Sequence, residues 1–318
     1  MKVIWNYDAA PALAARLTAL AGDGLDVAVC PEADDARLFE LLPETDVLWH
    51  CLRPVTAEVI DAAPRLKLIQ KIGVGVNTID LDRARARGIA VCNMPGTNSR
   101  AVAEHALGLM LAVLRQVPRF DGDVRRGEGW SWDPIRQDTL GEIGGRTVGL
   151  VGFGGIPRLL SPVLGALGAR VLYTARQRHD EAAAAAGAEY RDLDALLQEA
   201  DIVSLHMPLT ADTERLLNAS RFAAMKPGAI LINTARGGLV DEAVLITALD
   251  AGRLAGAGLD VFAEEPLPAA HPLLERSNVV LAPHVAWLTG ETLARSLEVA
   301  ADNCRRLASG EPLRHRVA

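Results

Sequence analysis

Short apolar runs bounded by turn residues alternate with stretches whose apolar positions recur at helical spacing, through most of the chain. KVIWNY predicts a strand and APALAARLTAL an amphipathic helix. DVAVC, DVLWH and LKLIQKIG are continuous apolar runs, the pattern of parallel strands covered on both faces. This first series ends near GIAVCNMPG, where Asn93, Pro95 and Gly96 break it. A long helix, SRAVAEHALGLMLAVLRQV, follows. The next stretch, RFDGDVRRGEGWSWDPIRQDTLGEIGG, is rich in glycine and charge and reads as an arm or long loop. A second alternation begins at RTVGLVGFG. Its strands are TVGLVG, ARVLYT, DIVSLH, AILINT, GAGLDV and VVLAPH, with helices at EAAAAAGA and DEAVLITALDAG. One amphipathic helix, TGETLARSLEVAADNCRRLASG, closes the chain. The alternation predicts an α/β protein, and the second series has the size of one doubly wound domain. The alanine run 182–186 predicts a solvent-facing helix of high intrinsic propensity.

Composition narrows this picture. A length of 318 residues, half of them hydrophobic, supplies two domains or one large one. A net charge of -7 without any basic run argues against a nucleic-acid partner. No apolar stretch is long enough to span a bilayer, and the N-terminus has no apolar signal core. Cys30, Cys51, Cys92 and Cys304 are scattered without a CxxC pair. That pattern fits free thiols in a reducing cytoplasm, and neither a disulfide framework nor a metal site. The expectation is a cytoplasmic protein without metal, nucleic acid or membrane.

The stretch VGFGGIP carries the first candidate chemistry. Gly152 and Gly154 fill the first two positions of a Gly-x-Gly-x-x-Gly turn between a strand and a helix, and Pro157 takes the third. The first glycine permits the tight turn and the second lets a pyrophosphate approach the backbone. Proline is tolerated in the first turn of a helix, where the N–H groups have no intrahelical partner. Gly155 and Ile156 complete a turn suited to an anion at a helix N-terminus. Further on, Ala175 stands where an NAD site carries an acid for the ribose hydroxyls, and Arg176 and Arg178 follow it. Loss of the acid and gain of arginine favour NADP, with NAD possible. The arginines are equally read as solvated surface residues.

Several signatures in fixed order surround this turn: IGVGVNTIDL, PGTNSRAVAEHALGLML, VGLVGFGGIP, DIVSLHMPLTADTERLLN, GAILINTARGGLVDEAVL, GAGLDVFAEEPLP and NVVLAPHVAW. With them the chain resembles the D-isomer-specific 2-hydroxyacid dehydrogenase family, which includes glyoxylate/hydroxypyruvate reductases and D-3-phosphoglycerate dehydrogenases. The resemblance implies a catalytic Arg236, Glu265 and His284. Arginine offers a fixed fork for the carboxylate and carbonyl of a 2-oxo acid, histidine an acid near neutral pH, and glutamate its orienting partner. Taken singly, Arg236 is equally a surface ion-pair residue, Glu265 a solvated acid and His284 a satisfied histidine at a strand end. The resemblance further implies substrate-carboxylate binding at Val74 and Gly75, and cofactor contacts at Ser99, His206, Pro208, Thr234 and Asp260.

The implied fold is α/β with two doubly wound domains. A Rossmann-type cofactor domain, residues 98–284, is inserted into a flavodoxin-like substrate domain, residues 1–97 plus 285–318, with a cleft between them. The long helix after Asn98 and the arm with Trp130 and Trp132 resemble the family's homodimer surface. The implied reaction is hydride transfer between NADP(H) and a small 2-oxo or D-2-hydroxy acid. The alternative is a non-catalytic NAD(P)-sensing protein, like the corepressors built on the same fold.

Overall fold

A computed structural model describes residues 1–130 and 138–318 of the chain; Trp132 lies outside the described residues. The chain divides into two compact units, Met1–Asn98 with Thr289–Ala318, and Ser99–Leu288.

The first unit holds strands β1 (Lys2–Asn6), β2 (Asp26–Cys30), β3 (Val47–His50), β4 (Leu68–Lys71) and β5 (Ala90–Cys92). Helices α1 (Pro11–Ala19), α2 (Asp35–Leu41), α3 (Ala57–Asp61) and α4 (Leu81–Ala86) connect them. The five strands are parallel in the order β2-β1-β3-β4-β5. This is the flavodoxin-like order, reversing direction between β1 and β3. All four residues of β3 and of β4 are buried, which is why their runs are continuously apolar apart from His50, Gln70 and Lys71. Trp5 and Trp49 meet edge to face, with ring centroids 6.4 Å apart. The closing helix, Gly290–Ser309, is capped by Thr289 and returns to this unit. Its buried Asn303 donates to Gln70 Oε1 at 2.7 Å and accepts the Arg314 N–H at 2.8 Å. A buried amide pair of this kind holds only as a pair, since a lone member costs about 1–3 kcal/mol.

The second unit begins with α5 (Ser99–Arg115) and α6 (Val117–Arg125). Strands β6 (Thr147–Val151), β7 (Arg170–Thr174), β8 (Ala188–Tyr190), β9 (Ile202–Leu205), β10 (Ala229–Asn233), β11 (Leu254–Leu259) and β12 (Val279–Leu281) follow. Between them lie α7 (Gly155–Ala166), α8 (Asp180–Ala186), α9 (Leu193–Glu199), α10 (Ala219–Ala224) and α11 (Glu242–Asp250); the helix Gly290–Ser309 is α12. The seven strands are parallel in the order β12-β11-β10-β9-β6-β7-β8. The order reverses between β6 and β9, as in a Rossmann sheet, and ligands bind such sheets outside the carboxyl ends of the strands at that point.

Three local expectations differ from the structure. The arm expected after the long helix opens with helix α6. Gln116 takes φ +50° and ends α5, and Pro118 starts the next helix in its first turn, where its missing N–H costs nothing. The short β8 pairs with β7 despite its exposed Glu189. The alanine helix is not wholly solvent-facing, because Ala183 and Ala186 are buried against the sheet. Among the described residues, no helix is long and apolar enough to cross a membrane.

Candidate active site

The glycine turn lies at the reversal point of the seven-stranded sheet. Gly152 has φ +107°, and a Cβ there would stand 2.5 Å from the His206 carbonyl oxygen at the end of β9. Only glycine allows both the conformation and the approach. Gly154 is the N-cap of α7, so Gly155, Ile156 and Pro157 are its first three residues. Pro157 is buried, and its lacking N–H removes no intrahelical bond at this position. A Cβ at Gly154 would meet nothing within 4 Å, whereas one at Gly155 would touch Ser99 Oγ at 3.0 Å. The turn thus has an open side at Gly154, and Ser99, first residue of α5, flanks it.

The loop after β7 is pinned at both ends. Phe153 stacks on Tyr173 at 4.0 Å, and the Tyr173 hydroxyl accepts the His179 N–H at 3.0 Å. Such an aromatic pair contributes about 0.5–1.5 kcal/mol beyond its buried area. Between these anchors Ala175 is half-buried, and Arg176 and Arg178 are exposed. Arg178 lies over the Tyr190 ring at 4.7 Å and 3.4 Å from Asp180. Arg176 has no hydrogen bond or ion pair among the described residues.

At the other strand ends, His206 Nε2 is 2.9 Å from Ser204 Oγ, and burial lowers its pKa to about 3, so the ring is neutral. Pro208 is exposed. Thr234 is buried after β10, and its hydroxyl has no partner among the described residues.

Arg236, Glu265 and His284 all belong to the second unit, and two of them touch. His284 Nδ1 is 2.6 Å from Glu265 Oε2. The carboxylate accepts at that oxygen, so Nδ1 carries the proton and Nε2 is left for other partners. Glu265 Oε1 accepts the Phe262 N–H at 2.9 Å. Burial opposes ionisation of Glu265. The His284 hydrogen bond and charge, the Phe262 N–H and the Arg236 charge outweigh it, and the pKa falls below the ordinary value. A depressed pKa means that this carboxylate stabilises the fold above the ordinary glutamate range. The contribution is lost as the pH falls through the lowered value.

Arg236 follows β10 in a loop held by Asn233. Asn233 Oδ1 accepts the Ala235 N–H at 3.0 Å, and its Nδ2 donates to the Arg236 carbonyl at 2.9 Å. Burial lowers the Arg236 pKa and the Glu265 charge raises it; a guanidinium remains charged in either case.

His284 takes φ +56°, an unusual conformation for a side-chain-bearing residue. Asp260 holds it there. The Asp260 carbonyl accepts the His284 N–H at 2.8 Å, and its two carboxylate oxygens accept the Val285 and Ala286 N–H groups at 2.9 Å each. Burial raises the Asp260 pKa. His105 of α5 lies 3.5 Å from the same carboxylate. The sequence reading missed this clamp, and missed Asn233 and His105. The only signals were an Asn before TARGG and a His in a helical run, neither of which reveals its distant partner.

In the first unit, Val74 is 45% exposed after β4. The loop's carbonyls are occupied: Gly73 O accepts the Met94 N–H and Val74 O accepts Asn93 Nδ2 at 2.9 Å. The N–H groups of Val74 and Gly75 have no acceptor among the described residues.

The sequence model described as D-isomer specific 2-hydroxyacid dehydrogenase, NAD binding domain, matches residues 107–286. The chain is 45% identical over 284 residues to a glyoxylate reductase of Thermofilum pendens, covering 88% of this chain and 83% of that one. The chain belongs to the D-isomer-specific 2-hydroxyacid dehydrogenase family. This dehydrogenase is also 40% identical over 301 residues to a D-3-phosphoglycerate dehydrogenase of Mycobacterium bovis, covering 94% of this chain and 56% of that longer one. Among solved structures it is similar to the TT0316 protein of Thermus thermophilus, at a TM-score of 0.89 and 39% identity over the whole of both chains.

Membership makes the protein an NAD(P)-dependent enzyme acting on CH–OH donors. The residues present fit a dinucleotide: an open glycine turn at a helix N-terminus, and an orphaned Thr234 hydroxyl at a strand end of the same sheet.

Proposed function

We propose that the dehydrogenase reduces a small 2-oxo acid, such as the glyoxylate named for its relatives, to the D-2-hydroxy acid, and prefers NADPH. The observation that carries this reading is the His284–Glu265 pair at 2.6 Å beside a half-buried arginine. The bound nicotinamide supplies the hydride. His284 Nε2 donates the proton that the carbonyl oxygen takes up as it becomes a hydroxyl. Glu265 holds the ring by Nδ1 and stabilises its protonated form. Arg236 fixes the substrate carboxylate and carbonyl, and the unclaimed N–H groups of Val74 and Gly75 donate to the carboxylate. Gly152, Gly154, Gly155 and Ile156 hold the pyrophosphate, with Ser99 beside the turn. His206 contributes through its main chain and Pro208 through its exposed ring, on the adenine side. Thr234 and Asp260 lie on the nicotinamide side, Asp260 through its hold on the His284 turn.

Arg176 supports the cofactor preference. It is the uncommitted cation of a pinned loop that lacks the usual ribose acid, whereas Arg178 is engaged with Tyr190 and Asp180. A charge-assisted bond to a 2′-phosphate is worth about 1.5–3 kcal/mol, roughly ten- to a hundred-fold in affinity. Steady-state kinetics with glyoxylate, hydroxypyruvate and pyruvate, using each reduced cofactor, test the reaction. Arg176→Ala is expected to weaken NADPH binding within that range and to leave NADH almost unchanged. Equal efficiency with both cofactors in the unmodified enzyme contradicts the preference.

We also propose that the enzyme is a homodimer. Leu111, Val117, Val124 and the 79%-exposed Trp130 leave apolar surface on α5, α6 and the residues after them. Sedimentation equilibrium at micromolar concentration is expected to give twice the chain mass; a monomer at all concentrations refutes this.

A further inference from the structure

We propose that Glu242 and His271 are positioning residues for the reaction: together they close the segment that carries Glu265, and so fix the carboxylate that orients His284. The proposal rests on the reading of Glu265 and His284 as the acid pair. The segment runs from the end of β11 to the short helix Pro272–Glu275 and has little packing of its own. Phe262 and Leu273 are buried in one core at its two ends. Residues 263–266 and 268–270 between them are exposed, and Leu267 alone among these packs partly against that core. A stretch with so few apolar contacts opens locally at low cost unless polar bonds hold it.

Those bonds converge on one side chain. Glu242, the first residue of α11, presents a carboxylate that is only 19% exposed. Its Oε2 accepts the Ala263 N–H at 3.3 Å, two residues before Glu265, and its Oε1 stands 3.0 Å from His271 Nε2. His271 is the N-cap of Pro272–Glu275, and its Nδ1 accepts the Leu273 N–H at 3.3 Å. An accepting Nδ1 carries no proton, so the ring hydrogen is on Nε2 and is donated to Glu242. Both ends of the segment are tied in this way to one carboxylate. The neighbouring Phe262 N–H goes to Glu265 Oε1. Two consecutive N–H groups are therefore claimed, one by Glu265 from within the segment and one by Glu242 from outside it. Loss of the outer bond loosens the turn on which the inner one depends.

The two ring nitrogens separate positioning from capping. His271→Asn places an oxygen near the Nδ1 position, keeps the N-cap and is too short to reach Glu242. His271→Gln places an N–H near the Nε2 position, keeps the tie to Glu242 and gives up the cap. The assay uses NADPH with the best of glyoxylate, hydroxypyruvate and pyruvate. His271→Asn is expected to keep its Tm and its Kd for NADPH and to lower kcat about tenfold, since small misplacements cost up to about a hundred-fold. His271→Gln is expected to lose a few degrees of Tm with the cap and to hold kcat within about twofold of the unmodified enzyme. Glu242→Gln accepts only one of the two hydrogens; it is expected to fall as far as His271→Asn, and the double variant no further. Unaltered kcat in His271→Asn, or a kcat that follows Tm across the two His271 variants, overturns the proposal. Glu265→Gln, assayed beside them, tests the underlying reading. Full turnover there, or no turnover of any of the three acids by an unmodified enzyme that binds NADPH, defeats that reading and this proposal with it. A loss in Glu265→Gln with unaltered kcat in His271→Asn defeats the positioning role alone.

Discussion

His284→Ala is expected to lower turnover about 10²–10⁴-fold, the usual contribution of a positioned acid–base group, while NADPH affinity stays near that of the unmodified enzyme. The expectation follows from how the ring is held. Glu265 fixes Nδ1 at 2.6 Å and is itself anchored by the Phe262 N–H, so Nε2 is the only ring atom left to handle a proton. The backbone of the turn is fixed independently, through the three N–H groups that Asp260 accepts from His284, Val285 and Ala286. Alanine therefore removes the acid without removing the clamp. Single-turnover rates and NADPH titrations separate the two effects. Unchanged turnover on the best 2-oxo acid would show that another group supplies the proton.

Gly237→Ala is expected to do comparable damage by a different route. A Cβ at Gly237 would lie 1.9 Å from both the carbonyl carbon and oxygen of Phe262, and 2.5 Å from the Ala263 nitrogen. These are main-chain atoms, so no rotamer change relieves the overlap. The two segments must separate. One carries Arg236 immediately before the glycine; the other carries Phe262, whose N–H anchors Glu265. We expect a stability loss of about 1–3 kcal/mol from overpacking, and a fall in kcat/KM of about a hundred-fold from displacement of the pair, as small misplacements typically produce. Thermal unfolding together with kcat/KM reads both quantities. A variant with unaltered Tm and activity would refute the close approach.

Much of this fold is legible in the chain because parallel strands buried on both faces announce themselves as uninterrupted apolar runs. β6, β9 and β10 could hardly be read otherwise. β8 escapes because three residues with a central glutamate carry no periodic signal. α6 escapes because glycine and paired charges mask a helix that Pro118 begins. The glycine turn is legible for a local reason: its glycines answer to backbone conformation and to one close neighbour. The Asp260 clamp is not, since it joins residues some 25 positions apart, and an aspartate at a strand end has many possible uses. The loop after β7 falls between the two cases. Ala175 and Arg176 are adjacent in sequence, but the engagement of Arg178 with Tyr190 arises only when β8 pairs beside β7.

The bond from Asn303 to Gln70 spans 233 positions of sequence. On the ribosome, the first 98 residues emerge with Gln70 facing an interior that its partner has not yet reached. The intervening 190 residues form one continuous stretch that needs nothing from either flank to complete its sheet. Synthesis therefore delivers the inserted nucleotide-binding part whole while the part that encloses it in sequence is still unfinished. Residues 1–98, made before that stretch, wait longest for all their native contacts.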